Sequence, residues 1–253
     1  MDYFKQLLIL CPLIFLSGFV DAIAGGGALI SLPAYYAVGL APHTVLGTNK
    51  LSSFVGSSAS AARFIKNKSF YKETVIPSIA LALLGSSFGA RLAMYLPEEV
   101  LRYILIIALP LLAIFILRNK GFAEPDANKL ANKKRVLIIC SAASFIVGAY
   151  DGFFGPGTGT FLILIYTSFV GFDLLTSMGN AKIVNLSANI AALAVFASSG
   201  KVDYALAIPA AASSMLGHYL GSGLALKNGK KIVKPMMLAV MALLLIKLIS
   251  DSL

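Results

Sequence analysis

Four charged side chains stand inside long apolar runs, and they form two matched pairs. Asp21 closes Gly18-Phe-Val-Asp21 and Asp151 closes Gly148-Ala-Tyr-Asp151. Lys50 closes Gly47-Thr48-Asn49-Lys50 and Lys182 closes Gly179-Asn180-Ala181-Lys182. A charge at the centre of a membrane helix costs about 3 kcal/mol, so it is rarely idle. Counted from the starts of their apolar segments, Lys50 lies about 10 Å deep and Lys182 about 13 Å deep from the opposite face. Two ammonium groups flanking the midplane could hold an anion, with Thr48, Asn49, Asn180 and Asn185 as neighbouring hydroxyl and amide donors. The competing reading is that both lysines snorkel to the nearest interface. Asp21 and Asp151 admit two readings as well. Each could bind and release a proton with conformation, or each could serve as a cap or as a partner for a lysine.

The aspartates precede glycine-rich breaks, Gly25-Gly26-Gly27 and Gly155-Pro156-Gly157-Thr158-Gly159. Glycine frees the backbone to turn and proline withholds an N–H. Irregular backbone at membrane depth is tolerated only where it is buried in protein or lines a cavity. A short helix follows each break, and its free N–H groups and positive dipole end would point at that cavity. Gly25, Gly26, Gly27, Gly155 and Gly157 therefore join the candidate anion site. Gly85, Gly89, Gly217 and Gly221, spaced as GxxxG, read as close-packing positions between helices. A nucleotide-binding fingerprint is excluded, because no βαβ unit surrounds the glycines.

The elements that must position these residues form an internal repeat. Asp21, Gly25 and Gly27 recur at Asp151, Gly155 and Gly157 with an offset of 130. After a two-residue insertion the offset is 132, relating Gly47, Lys50, Phe64, Pro77, Gly85 and Gly89 to Gly179, Lys182, Phe196, Pro209, Gly217 and Gly221. The expected organisation is a first transmembrane repeat over 1–117, a basic linker over 118–135 and a second repeat over 136–253. Apolar segments fall at 4–24, 28–40, 43–66, 73–95 and 98–117, then at 136–154, 158–170, 173–198, 203–226 and 234–250. Most are near the 20 residues a bilayer core requires. The second of each five has 13, about 20 Å of helix against about 30 Å of hydrocarbon. Residues 1–24 look like a signal peptide ending in Ala22-Ile23-Ala24, but their recurrence in mid-chain argues against cleavage.

Composition fixes the class. Hydrophobic residues make up 58% and charged residues 13%, and mean hydropathy is +0.85. That excludes a disordered chain and a soluble enzyme, and points to an all-α polytopic membrane protein. Fourteen of the 21 basic residues fall in three short clusters, at 63–72, 118–135 and 227–234. Flanked by long apolar runs, they suit cytoplasmic loops in a lipid bilayer better than nucleic acid. Placing all three clusters inside requires 158–170 and 28–40 to count as crossings. Each repeat then has five crossings, the two repeats are inverted, and both termini lie outside. Cys11 and Cys140 read as packing residues. His43 and His218 align with Leu175 and Ser86 rather than with each other, and read as interface or core residues. No metal site, cofactor or catalytic set is expected.

Ala24-Gly25-Gly26-Gly27-Ala-Leu-Ile-Ser-Leu-Pro33, with Pro42-His43-Thr-Val-Leu-Gly47-Thr48-Asn49-Lys50 downstream, resembles the sulfite exporter TauE/SafE family. Gly179-x-x-Lys182 and Gly-Ser-Ser-Phe-Gly89-Ala-Arg91-Leu-Ala resemble it too, so the likeness covers nearly the whole chain. The resemblance implies a bacterial-type inner-membrane carrier of small anions, notably sulfite and organosulfonates, built from two duplicated halves. The second copy lacks a counterpart of Pro33 and has Ala181 where the first has Asn49, so the half-sites are chemically unequal. The expected function is secondary transport of a small anion by alternating access, with Asp21 and Asp151 as proton-coupling candidates and a homodimer compatible with the chain. An anion channel, a carrier of small carboxylates, and a membrane enzyme or scaffold are the alternatives.

Overall fold

The computed structural model describes residues 2–101 and 132–229, with 103, 104, 107, 125, 126, 130, 231, 232, 235 and 236. The described residues form helices and no strand. In chain order they are α1 (Tyr3–Ala24), α2 (Ala28–Ala37), α3 (Pro42–Lys66), α4 (Lys72–Tyr95), α5 (Lys133–Phe153), α6 (Thr158–Ile165), α7 (Leu174–Ser198) and α8 (Tyr204–Asn228). A π-helical turn, Tyr166–Val170, extends α6. The expected segments 98–117 and 234–250, and the linker up to residue 131, fall largely outside the described residues.

Local chemistry sets the helix ends. Pro42 occupies the first turn of α3, where its missing N–H has no intrahelical role. Asp173 and Asp203 begin α7 and α8 by accepting the N–H groups of Thr176 and Leu206, the usual N-cap arrangement. Gly39 and Gly171, both at positive φ, close the short elements. Because the chain turns at Val38-Gly39, α2 ends three residues before the expected 40. Its 10 residues give about 15 Å, half of the hydrocarbon thickness.

Helices α1, α4, α5 and α7 are long and apolar enough to cross a membrane. Helices α3 and α8 are as long as α7, at 25 residues; α3 carries five serines, and α8 carries three glycines and a proline. Helices α3 and α7 pack on each other, α4 and α8 flank them, and α1 and α5 lie along α8 and α4 respectively. The most extensive contacts thus join residues 1–117 to the later half. Small residues set the spacing of these contacts: a Cβ on Gly85 or Gly89 would strike the Phe145 or Ala149 carbonyl, and one on Gly217 or Gly221 the Phe15 or Phe19 carbonyl. The GxxxG glycines are packing positions between helices, as small residues commonly are in membranes.

Burial runs opposite to a soluble protein's pattern. Leu8, Ile76, Phe88, Ile138, Ile146, Ile208 and Leu216 are exposed on α1, α4, α5 and α8, while Asn180, Lys182, Asn185, Ser187 and Asn189 of α7 are buried. An apolar exterior around polar inner helices is what a lipid solvent favours. Each short helix sits in its own apolar cluster, α2 around Leu32 and Tyr35 and α6 around Leu162, Ile163 and Tyr166.

Candidate functional site

The two glycine breaks meet. Gly25, Gly26, Gly155 and Gly157 have φ of 75°, 92°, 100° and 81°, a region that glycine enters without steric cost. A Cβ on Gly25 would collide with the backbone of Gly159 and Thr160. Thr160 Oγ1 also donates to the Ala24 carbonyl at 3.0 Å. The first turn of α6 therefore rests on the end of α1.

Lysine and aspartate pair across this junction. Lys50 Nζ, from α3, donates to Asp151 Oδ2 at 2.7 Å and to the Asp151 carbonyl at 2.6 Å. Lys182 Nζ, from α7, donates to Asp21 Oδ2 at 2.8 Å and to the Asp21 carbonyl. The lysine side chains are 3% and 0% exposed, so neither snorkels. Each ammonium meets a carboxylate and the carbonyl end of α1 or α5, where the helix dipole favours a cation. Asp21 Oδ1 accepts the Gly27 N–H at 3.1 Å, and Asp151 Oδ1 accepts the Thr158 hydroxyl at 2.9 Å. Each carboxylate thus lies at the start of a short helix, a position that suits any anion.

A small polar cavity, about 30 Å³, opens beside these pairs. Among the residues expected at the site, Asp21, Gly27, Asn49, Lys50, Asp151, Gly155 and Asn185 line it. The others stand off it. Lys182 lies behind Asp21. Thr48 Oγ1 accepts the Asp203 N–H at 3.0 Å. Asn180 donates to the Thr176 carbonyl and accepts from Thr74. Gly25, Gly26 and Gly157 shape the junction, and no cavity atom is theirs.

Sequence reasoning missed several lining residues. Ser31 donates to Asn49 Oδ1 at 2.6 Å and fixes that amide. Asn189 follows Asn185 by one helical turn, and its Nδ2 donates to the Asn185 carbonyl; a spacing of seven from Lys182 puts it on the same face. His218, read from sequence as an interface or core residue, lines the cavity with Nε2 3.8 Å from Asp21 Oδ2. Its signal was a polar side chain one turn from Ser214 on a small-residue face of α8. His43 instead joins α3 to the end of α4, with Nε2 3.1 Å from the Ala93 carbonyl and Nδ1 3.3 Å from Glu98. Among the described residues no cluster could hold a metal ion.

Comparison with known proteins adds an independent line. The family model described as Sulfite exporter TauE/SafE matches residues 10–248. The chain is 35% identical over 260 residues to the probable membrane transporter protein YfcA of Escherichia coli K12, covering 100% of this chain and 96% of that one. It is 33% identical over 250 residues to the probable membrane transporter protein ORF9 of a Sinorhizobium species, covering 98% and 94%. A probable membrane transporter protein of Haemophilus influenzae is 29% identical over 238 residues, covering 94% and 92%. No solved structure matches.

Proposed function

The chain belongs to the sulfite exporter TauE/SafE family and is a membrane transporter, and on that premise we propose that it carries a small anion, sulfite or an organosulfonate, by alternating access. The observation that carries this reading is the pair of lysine–aspartate contacts across the two broken helices. In each, the chain's own carboxylate occupies the place where a helix start and an ammonium would together hold an anion. A substrate anion takes over the ammonium when the carboxylate leaves it. A proton arriving at one of the pairs is the step that releases it, which makes Asp21 and Asp151 the candidate coupling carboxylates.

The two halves, 1–117 and 136–253 joined by 118–135, act as inverted repeats of five crossings each. The matched contacts of α1 with α8 and of α5 with α4, and of α3 and α7 with each other, support that symmetry. The basic loops lie in the cytoplasm, both termini outside, and the protein sits in the inner membrane, with a second copy of the chain as its partner. No covalent chemistry is involved, so the protein acts as a carrier and not as an enzyme.

Uptake of radiolabelled sulfite and isethionate into proteoliposomes, driven by an imposed pH gradient, tests the reading. Flux in the wild type that disappears in Lys50→Ala and in Lys182→Ala is expected. Wild-type flux from both variants would refute the assignment.

A further inference from the structure

The four charges at the junction, Asp21, Lys50, Asp151 and Lys182, sum to zero. An anion entering this site alone leaves an uncompensated negative charge in a low-dielectric interior, which is strongly unfavourable. A proton entering with a monovalent anion restores neutrality. The described residues that face His218 offer few places to put it: Asp21 on α1, Ser60 on α3 and Lys182 on α7, with Lys50 and Asp151 across the cavity. Helices α2 and α6 bring only Ser31, Thr158 and backbone to the lining.

Ser60 holds one nitrogen of His218 and leaves the other facing Asp21. Ser60 Oγ donates its single proton to the Ser57 carbonyl at 3.1 Å. In that arrangement it accepts from His218 Nδ1–H, also at 3.1 Å; in the other tautomer the hydroxyl donates to Nδ1. With the proton on Nδ1, the lone pair is on Nε2, and that atom stands 3.8 Å from Asp21 Oδ2. A neutral imidazole thus aims a bare nitrogen at a carboxylate. A proton added at Nε2 turns the same contact into an ion pair, which draws Asp21 Oδ2 from Lys182 and leaves that ammonium for the anion. The second half-site has no such group, since the position equivalent to His218 is Ser86, whose hydroxyl donates to the Ala188 carbonyl at 2.6 Å.

We propose that His218 carries the coupling proton, so that one proton accompanies each monovalent anion, electroneutrally and through the Asp21–Lys182 half-site alone. The proposal rests on the anion-carrier reading above and deepens it by naming the substrate's charge class: monoanions such as sulfonates are accepted and dianions such as sulfate, which would leave one negative charge over, are rejected. The proton comes from bulk water on the side from which the anion enters and leaves with it on the other.

The test is calorimetric binding of isethionate, a permanent monoanion, and of sulfate to the purified full chain, in buffers of different ionisation enthalpy across pH 5.5–8.5. Expected for the wild type is uptake of about one proton per isethionate, an isethionate Kd that weakens up to tenfold per pH unit as pH rises, and at least tenfold weaker sulfate binding. His218→Gln should bind isethionate at least tenfold more weakly than the wild type does at pH 5.5, with no proton uptake and a flat pH profile. Because that variant could fold poorly, imidazole 15N NMR of the wild type supplies a second readout, in which Nε2 gains a proton when isethionate is added. Isethionate binding without proton uptake, or uptake that persists in His218→Gln, overturns the proposal while sparing the carrier reading. Failure of the wild type to bind either anion overturns both.

Discussion

Lys50 and Asp151 are 101 residues apart in the chain, yet the ammonium and the carboxylate lie 2.7 Å apart and are both buried. Their repeat equivalents Lys182 and Asp21 make the same contact. Each pair thus borrows one member from each half.

That arrangement separates a stability effect from a functional one. Removing one member leaves an unpaired buried charge, which typically costs about 3–5 kcal/mol. Lys50→Ala should therefore lower the thermal midpoint, and Lys50→Ala with Asp151→Ala should recover much of the loss. Both proteins should be inactive in transport. A double-mutant cycle on detergent-solubilised protein measures the coupling; additive losses would contradict the pairing.

The glycines of the junction differ in what they tolerate. Gly25→Ala meets backbone at Gly159 and Thr160. It combines a strained φ of about 1–3 kcal/mol with overpacking of about 1–3 kcal/mol, and should fold poorly or lose transport. Gly39→Ala faces open space, so only its positive φ resists, at about 1–2 kcal/mol. Thermal midpoints of the two variants, measured side by side, should fall in that order.

Asn185 and Asn180 look alike in sequence but should behave differently. Asn185 lines the cavity, so Asn185→Ala should raise the KM for the transported anion several-fold with little change in stability. Asn180 faces Thr74 and Thr176, so Asn180→Ala should cost about 1 kcal/mol in stability and leave the KM unchanged. Uptake kinetics with thermal melts distinguish the two.

The proposed inversion of the repeats predicts sidedness. In a Cys11→Ser, Cys140→Ser background, Lys68→Cys and Lys227→Cys should react with an impermeant thiol reagent only from the cytoplasmic side. Tyr95→Cys and Ser199→Cys, both exposed positions, should react only from the outer side. Labelling of all four from one side would refute the inverted arrangement.

The sequence made the lysines and aspartates legible because each recurs at a fixed offset inside an apolar run, where a charge needs a reason. The glycine breaks were legible as backbone chemistry, and the short second segments as lengths that cannot span a bilayer. Which lysine meets which aspartate was not legible. Asp21 and Lys50 share a half and are nearer in the chain, and only the packing of α1 on α8 and of α5 on α4 brings the distant partners together. His218 reads from sequence as an interface or core residue for the converse reason: it has no repeat partner, and the absence of a side chain at Gly56, whose Cβ would overlap the His218 ring, makes room for it beside Asp21.

The crossed pairs also order the protein's synthesis. At about 5–20 residues per second, roughly 5–20 s separate the emergence of Lys50 from that of Asp151. Asp21 waits longer for Lys182, which follows it by 161 residues. Through that interval the nascent first half holds Asp21 and Lys50 at membrane depth without the partners they take in the folded protein. The insertion machinery must therefore shelter α1 and α3 until the later helices arrive, and a chain truncated after α4 should be a substrate for membrane proteolysis instead of a stable half-carrier.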